Sequence, residues 1–233
     1  MPEKPSSPVH PPSGVSVELG LTCAENFAAD EGLLRSGGPG ARVAVLSDVA
    51  VSYGVGVREN APYLVRTRQA GVPAMRRSSG GSGVLHGVGD LVWSVVLPRV
   101  DPRVGRDFVR GYDRLGVGVI RFLERRGVEG KWGLPPDLVP GYCVLSGRGQ
   151  VLFARGGVLG GAAQHLSRTS ILHQGMVPRA VDRHLVERLF AFPDPSLADR
   201  LIGLRDLGVE APSSELAREL AAALQHWLVQ AAD

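Results

Sequence analysis

Residues 76–90 read RRSSGGSGVLHGVGD, and the strand-like run LVWSVVLP follows at once over 91–98. Glycines at 80, 81, 83, 87 and 89 leave this backbone without side-chain cover, so its N–H groups and Cα atoms can approach another group closely. Two readings stand: a wide hairpin loop whose glycines only permit turning, or a bare surface along which something slender lies. A phosphate cradle is disfavoured, because the run is not GxxxxGK(S/T), no lysine follows, and a strand rather than a helix comes next. The dinucleotide pattern GxGxxG fails as well, since its third glycine falls out of register and no βαβ context surrounds it.

Upstream, AENFAADEGLLR (24–35) has helical spacing, with Phe27, Leu33 and Leu34 able to share a face. RVAVLS and VAVSYGVGV are β-branched runs joined tightly near Asp48 and read as two strands. A short helix through APYLVRTRQA then leads into a strand at VPAMRR. Downstream, Asp101 and Pro102 form an N-cap and first-turn pair, and Val104, Phe108, Leu115, Val119 and Leu123 predict one long central helix. Four short runs, YCVLSG, QVLFAR, GVLGGAAQ and TSILHQGMV, predict an antiparallel meander between 142 and 177. Helices return from Ala180, and Leu216, Leu220, Leu224, Trp227 and Leu228 mark one face of the last. No internal repeat appears, so the order of elements predicts a mixed α+β fold with a mainly antiparallel sheet.

The 233 residues suit a tail over 1–14, rich in proline and serine, and one domain over 15–233 whose last part, about 180–233, is helical. No run approaches the roughly 18–20 apolar residues that cross a bilayer, and no secretory signal opens the chain. Two cysteines, Cys23 and Cys143, cannot build a disulfide framework, which predicts a reducing cytoplasm. The formal charge of +3 comes almost wholly from arginine, Lys4 and Lys131 being the only lysines. So small an excess, without an aromatic stripe, argues against nucleic acid. No metal site is expected.

RRSSGGSGVLHGVGD resembles the Arg-Arg-x-Ser-Gly-Gly-x-x-Val-x-His-x-x-Gly signature of the lipoate and octanoate protein ligase and transferase family. NFAADEGLL resembles that family's Asn-x-Ala-x-Asp-Glu helix, and GGAAQHLSRTSILHQG its Gly-Ser-Ala-Gln segment and following strand. The resemblance covers roughly residues 23–178. It implies a fold like that of biotin and lipoate protein ligases, related to class II aminoacyl-tRNA synthetases. It also implies a channel for a medium-chain acyl group, lined by Ser79, Gly80, Gly81, Ser82, Gly161, Ala162 and Ala163. Arg76 or Arg77, with His86, would lie at its polar end; alternatively an arginine pairs with an acidic neighbour and His86 caps the loop.

Cysteine-dependent octanoyltransferases of the family carry their nucleophile in a strand, fifteen residues before a lysine. Cys143 fits that spacing, but Val158 stands at the lysine position. A free cysteine, with a pKa of about 8.5, needs a nearby cation to be a good nucleophile at neutral pH. Arg155, His86 or His165 could supply the charge; otherwise Cys143 is a small buried hydrophobe. Cys23 reads as structural. In HQG, Gln174 takes the usual histidine position, so His173 points to the other strand face, into surface or core. The resemblance implies a transferase passing an acyl group from an acylated carrier protein to a lysine of a lipoyl domain or glycine cleavage H-type protein. Cys143 would be the acyl carrier, backbone N–H groups of GGAAQ would hold the oxyanion, and no cofactor would be required. Two alternatives stay open: a lipoate ligase needing ATP and Mg, or a non-catalytic protein that binds acyl groups or lipoyl domains.

Overall fold

The near-continuous apolar run LVWSVVLP marks a strand buried on both faces, and it lies inside the main sheet. The computed structural model describes residues 14–104, 108–134, 138–146 and 150–230. Its strands and helices run β1 (Val15–Leu21), α1 (Cys23–Ser36), β2 (Gly40–Leu46), β3 (Ala50–Tyr53), α2 (Pro62–Gln69), β4 (Ala74–Arg76), β5 (Gly83–His86), β6 (Leu91–Pro98), α3 (Phe108–Leu115), α4 (Val117–Arg125), β7 (Gly130–Gly133), β8 (Gln150–Ala154), β9 (Gly157–Leu166), β10 (Ser170–Val177), α5 (Arg183–Phe190) and α6 (Ser213–Gln230). Seven strands form one sheet in the order β1-β2-β6-β10-β9-β8-β7, and β4-β3-β5 form a second. Within the large sheet only β1 and β2 pair in parallel. The mixed, mainly antiparallel α+β expectation therefore holds.

β6 is buried on both faces, and its side chains divide by parity. Leu91, Trp93, Val95 and Leu97 join the core built with α4 and α6. On the other face Val92 packs with Phe27 of α1, and Ser94 Oγ donates to Asp30 at 2.6 Å. Helix α6 buries Leu216, Leu220, Leu224, Trp227 and Leu228, as its spacing predicted. Thr22 and Glu25 close a reciprocal capping box at the start of α1. Residues 1–13 of the expected tail lie outside the described residues.

The two strands joined tightly near Asp48 are β2 and β3, which lie in different sheets. Three expectations are corrected. The long central helix is two helices, α3 and α4, meeting at Gly116. A Cβ there would fall 2.1 Å from Trp132 Nε1, which donates to the Gly116 carbonyl at 3.1 Å, so an indole occupies the groove a continuous helix would fill. Asp101 caps a turn instead of a helix, accepting from Arg103 N at 2.9 Å and holding its guanidinium. YCVLSG is not a strand: Cys143–Leu145 is one 3-10 turn, fastened by Leu138 N and Val139 N donating to the Leu145 carbonyl. β1 and β7 had not been foreseen, although VSVELGL alternates.

His173 is 1% exposed and lies on the α4/α6 face of β10, its ring 4.8 Å from that of Trp93 and 5.3 Å from that of Tyr112. It is core, and burial lowers its pKa from 6.5 to about 3. The native state therefore gains from a neutral imidazole above pH 6.5 and loses that gain as pH falls toward 3. His173→Phe should gain on the wild type by about 1.4 kcal/mol per pH unit over this window. Urea unfolding at several pH values checks this, and a pH-independent difference would contradict it.

Candidate active site

The glycine-rich loop is built around Arg77. This side chain is 4% exposed. Its Nε donates to Ser79 Oγ at 3.1 Å, Nη1 to Ser52 Oγ at 3.1 Å, and Nη2 to the carbonyls of Gly80 at 2.7 Å and Ser82 at 3.0 Å. Every one of these acceptors is neutral, and among the described residues no carboxylate pairs with the guanidinium. Burial lowers its pKa from the ordinary arginine value. Nη2 also lies 4.0 Å from Cys143 Sγ. Gly81 (φ +90°) lets the loop pass between them: a Cβ there would sit 2.8 Å from both the sulfur and Nη2.

Ser52 joins Arg77 to His86, whose Nε2 lies 2.8 Å from Ser52 Oγ. An Oγ that accepts from Arg77 has its own proton free for Nε2, which assigns the ring proton to Nδ1. Nδ1 is buried and has no partner. Burial, reinforced by Arg77, drives the His86 pKa down to about 3, so the ring is neutral.

Two cavities flank this group. The cleft beside Cys143 has a volume of about 50 Å³, and Arg77, His86, Gly161, Ala162 and Ala163 line it. A chamber of about 340 Å³ lies beyond, and the two share Val84, His86, Val144 and Met176 as walls. The cleft is smaller than the roughly 150 Å³ cavity that holds benzene, so an eight-carbon chain requires its lining to yield. Asn26, Asp30, Ser52, Gln150 and Gln174 line it too, which the sequence reading had not assigned to the site. Arg42 Nη1 donates to Asn26 Oδ1 at 2.7 Å and Asp30 Oδ1 at 2.6 Å, and burial raises the Asp30 pKa to about 6. A signal existed: Cys23, Asn26, Phe27 and Asp30 recur at the helical spacing of an inner face, with two polar residues among them.

Other expected site residues lie elsewhere. Arg76 is exposed, bonded to Glu59 at 2.6 Å and set over the Tyr53 ring. Ser79 and Ser82 brace the loop through Arg77 without lining the cleft, the Gly80 carbonyl accepts from Arg77, and Gly81 packs against Arg77 and the Cys143 sulfur. Val158 lines the chamber, where it pairs with Phe153 and bridges Leu201. The cation near Cys143 is neither Arg155, exposed in the β8–β9 turn, nor His165, whose Nδ1 lies 2.8 Å from the Ser78 carbonyl. Of the expected backbone oxyanion donors of GGAAQ, Gly161 and Ala162 lie where β9 pairs with both β8 and β10, whereas Ala163 and Gln164 pair only with β10 and the Gln164 carbonyl accepts from Gly80 N. Cys23 is fully buried, and burial pushes its thiol well up.

The sequence matches the Lipoyl protein ligase A/B catalytic domain over residues 22–225. The chain belongs to this family. Octanoyltransferase LipM of Macrococcus caseolyticus (strain JCSC5402) is 25% identical over 191 residues, 76% of this chain and 69% of that protein. An Aeropyrum pernix protein provisionally named lipoate-protein ligase A is 30% identical over 187 residues, 77% of this chain and 68% of the other. A bi-partite lipoate protein ligase from Thermoplasma acidophilum, described with its E2 lipoyl domain, superposes with a TM-score of 0.69 at 21% identity, covering 93% of this chain and 84% of that one. The lipoyl protein ligase fold is thus shared.

Within this lipoyl ligase-type domain the Arg77–Cys143 contact is directly measurable. Arg77→Met should lower the alkylation rate of Cys143 by iodoacetamide at neutral pH about tenfold, with Arg77→Lys in between. Peptide mass spectrometry reads the rate, with buried Cys23 as the unreactive reference; equal rates in all three proteins would dismiss the contact.

Proposed function

We propose that this protein is an acyltransferase of the octanoyltransferase kind. Cys143 takes a medium-chain acyl group from a carrier-protein thioester and passes it to a lysine amine on a lipoyl-type domain. The observation that carries this reading is a half-buried sulfur 4.0 Å from a buried guanidinium that has no acidic partner among the described residues. A cation beside the sulfur balances the negative charge that sulfur carries as it attacks or leaves a carbonyl.

Cys143 Sγ, beside Arg77, attacks the donor carbonyl; a new C–S bond forms, the donor's C–S bond breaks, and the donor leaves as a thiol, taking the proton that Cys143 gives up. His86 Nδ1–H, unpartnered at the cleft wall, is the donor suited to the developing oxyanion. The acceptor amine, as the free base, then attacks the acyl-enzyme. A C–N bond forms, the C–S bond breaks, and the proton the nitrogen loses goes to the departing Cys143 sulfur, which returns to its thiol beside Arg77. The acyl chain lies against Gly161–Ala163 and displaces side chains that narrow the cleft.

The ligase alternative needs ATP and Mg, and the residues present do not suit a triphosphate. Across both cavities the described lining contains one permanent cation, Arg77, already committed to four oxygens. The chamber wall carries Asp90 and Asp182, which repel phosphate. The reading is therefore a transferase that requires no nucleotide.

Intact-mass spectrometry after exposure to octanoyl carrier protein should show one added octanoyl group, absent from Cys143→Ser and released on adding a lipoyl domain. Folded wild-type protein that stays unmodified would sink the scheme. Pyrophosphate exchange with ATP and lipoate would instead establish the ligase.

A further inference from the structure

The chamber between β5, β9, β10 and α5 has a chemistry of its own. Its walls are mostly aliphatic, among them Leu85, Val158, Leu159, Leu185 and Leu201. Its charged residues are both acids, Asp90 and Asp182, with no lysine or arginine among the described lining. Asp90 is 1% exposed; its carboxylate accepts from Gly87 N and Arg179 N, each at 2.8 Å, and no cation pairs with it among the described residues. A carboxylate offers about four acceptor sites, so two backbone bonds leave room for another donor. Burial raises its pKa to about 7, so holding charge there is unfavourable until a cation arrives.

Two unpaired buried charges of opposite sign therefore lie in the walls of the two cavities, Arg77 on the cleft and Asp90 on the chamber. Between the two cavities stands His86, whose unpartnered Nδ1 belongs to a ring lining both. An aliphatic chamber ending at an uncompensated carboxylate fits a primary alkylammonium, the chemistry of a lysine side chain. Neither a fatty carboxylate nor a phosphate fits beside Asp90.

We infer that this chamber is the docking site of the amine that receives the acyl group, with Asp90 holding its ammonium and Val158 part of the aliphatic wall along its stem. The inference rests on the transferase reading and adds the amine's route to it. For transfer, one ammonium proton passes to the Asp90 carboxylate, leaving the free amine; the second proton lost on forming the amide goes to the departing Cys143 thiolate. In this chain a lysine at 158 would compete with the substrate's ammonium for Asp90.

Calorimetric titration of the full chain, without acylation, with n-pentylammonium, 1-pentanol and pentanoate at neutral pH tests the inference. Pentylammonium should bind tighter than either of the others by at least about tenfold, and Asp90→Asn and Val158→Lys should each abolish that preference. Leu185→Trp, which narrows the chamber from α5 and leaves the 87–90 turn unaltered in sequence, should weaken all three ligands and guards against a disordered 87–90 turn in Asp90→Asn. Pentanoate or pentanol binding as well as the amine, or an undiminished preference in Val158→Lys, would overturn the assignment. Because the titration involves no acyl group, its outcome is separate from whether Cys143 is acylated.

Discussion

A guanidinium buried without a carboxylate is the constraint on which the site depends. Removing arginine from water is unfavourable by several kcal/mol unless its donors are met. Here four neutral oxygens meet them, two from hydroxyls and two from loop carbonyls. Those carbonyls can converge on one side chain only if residues 77–82 curl tightly, and the positive φ of Gly81 allows the curl. The loop is thus shaped by the charge inside it. Neutral acceptors leave the net charge in place, and the nearest sulfur faces it.

The rest of the fold holds both sides of that contact still. β3 presents Ser52 to Arg77 from one side. From the other, the chain carrying Cys143 is tied by Gly83 N donating to the Gly141 carbonyl and by Tyr142, which packs on Phe190 and Phe192. Beneath the cleft, Arg42 and Asp30 form a second buried pair, with Asn26, Ser94 and Glu18 completing the bonds. One end of the site therefore has matched charges and the other does not. Matched charges brace; an unmatched one remains available to a substrate or a nucleophile.

What could be read from the sequence follows from the range of each interaction. The motif around Arg77 and His86, the inner face of α6 and the β8–β10 meander are local in sequence, and period or signature exposed them. The placing of His173 off the cleft was also legible, because strand parity alone decides it. The division of α3 from α4 was not, since Trp132 enters the groove from 16 residues away. Nor could the sequence separate Arg76 from Arg77: Arg76 ends β4 and turns out to Glu59, while Arg77, one residue on, is buried under the loop. YCVLSG has strand composition, yet the backbone bonds from Leu138 and Val139 turn it into a 3-10 corner.

That corner gives the Cys143 sulfur neighbours other than those on β9. Val158 occupies a part of the strand where the β8 register shifts, and it is held by the bridge to Leu201 and by Ile202 N donating to its carbonyl. Its side chain lines the chamber and not the cleft, so a cation there would sit among aliphatic residues and two carboxylates. Cys143, projecting from a turn, instead meets the loop of residues 77–82. A sulfur in a flat strand would be fixed by sheet geometry to neighbours on β9; a sulfur on a turn can be served by a charge from another part of the chain. The apolar residue at 158 thus adds no cation to the wall that carries Asp90, while Arg77 stands beside the sulfur.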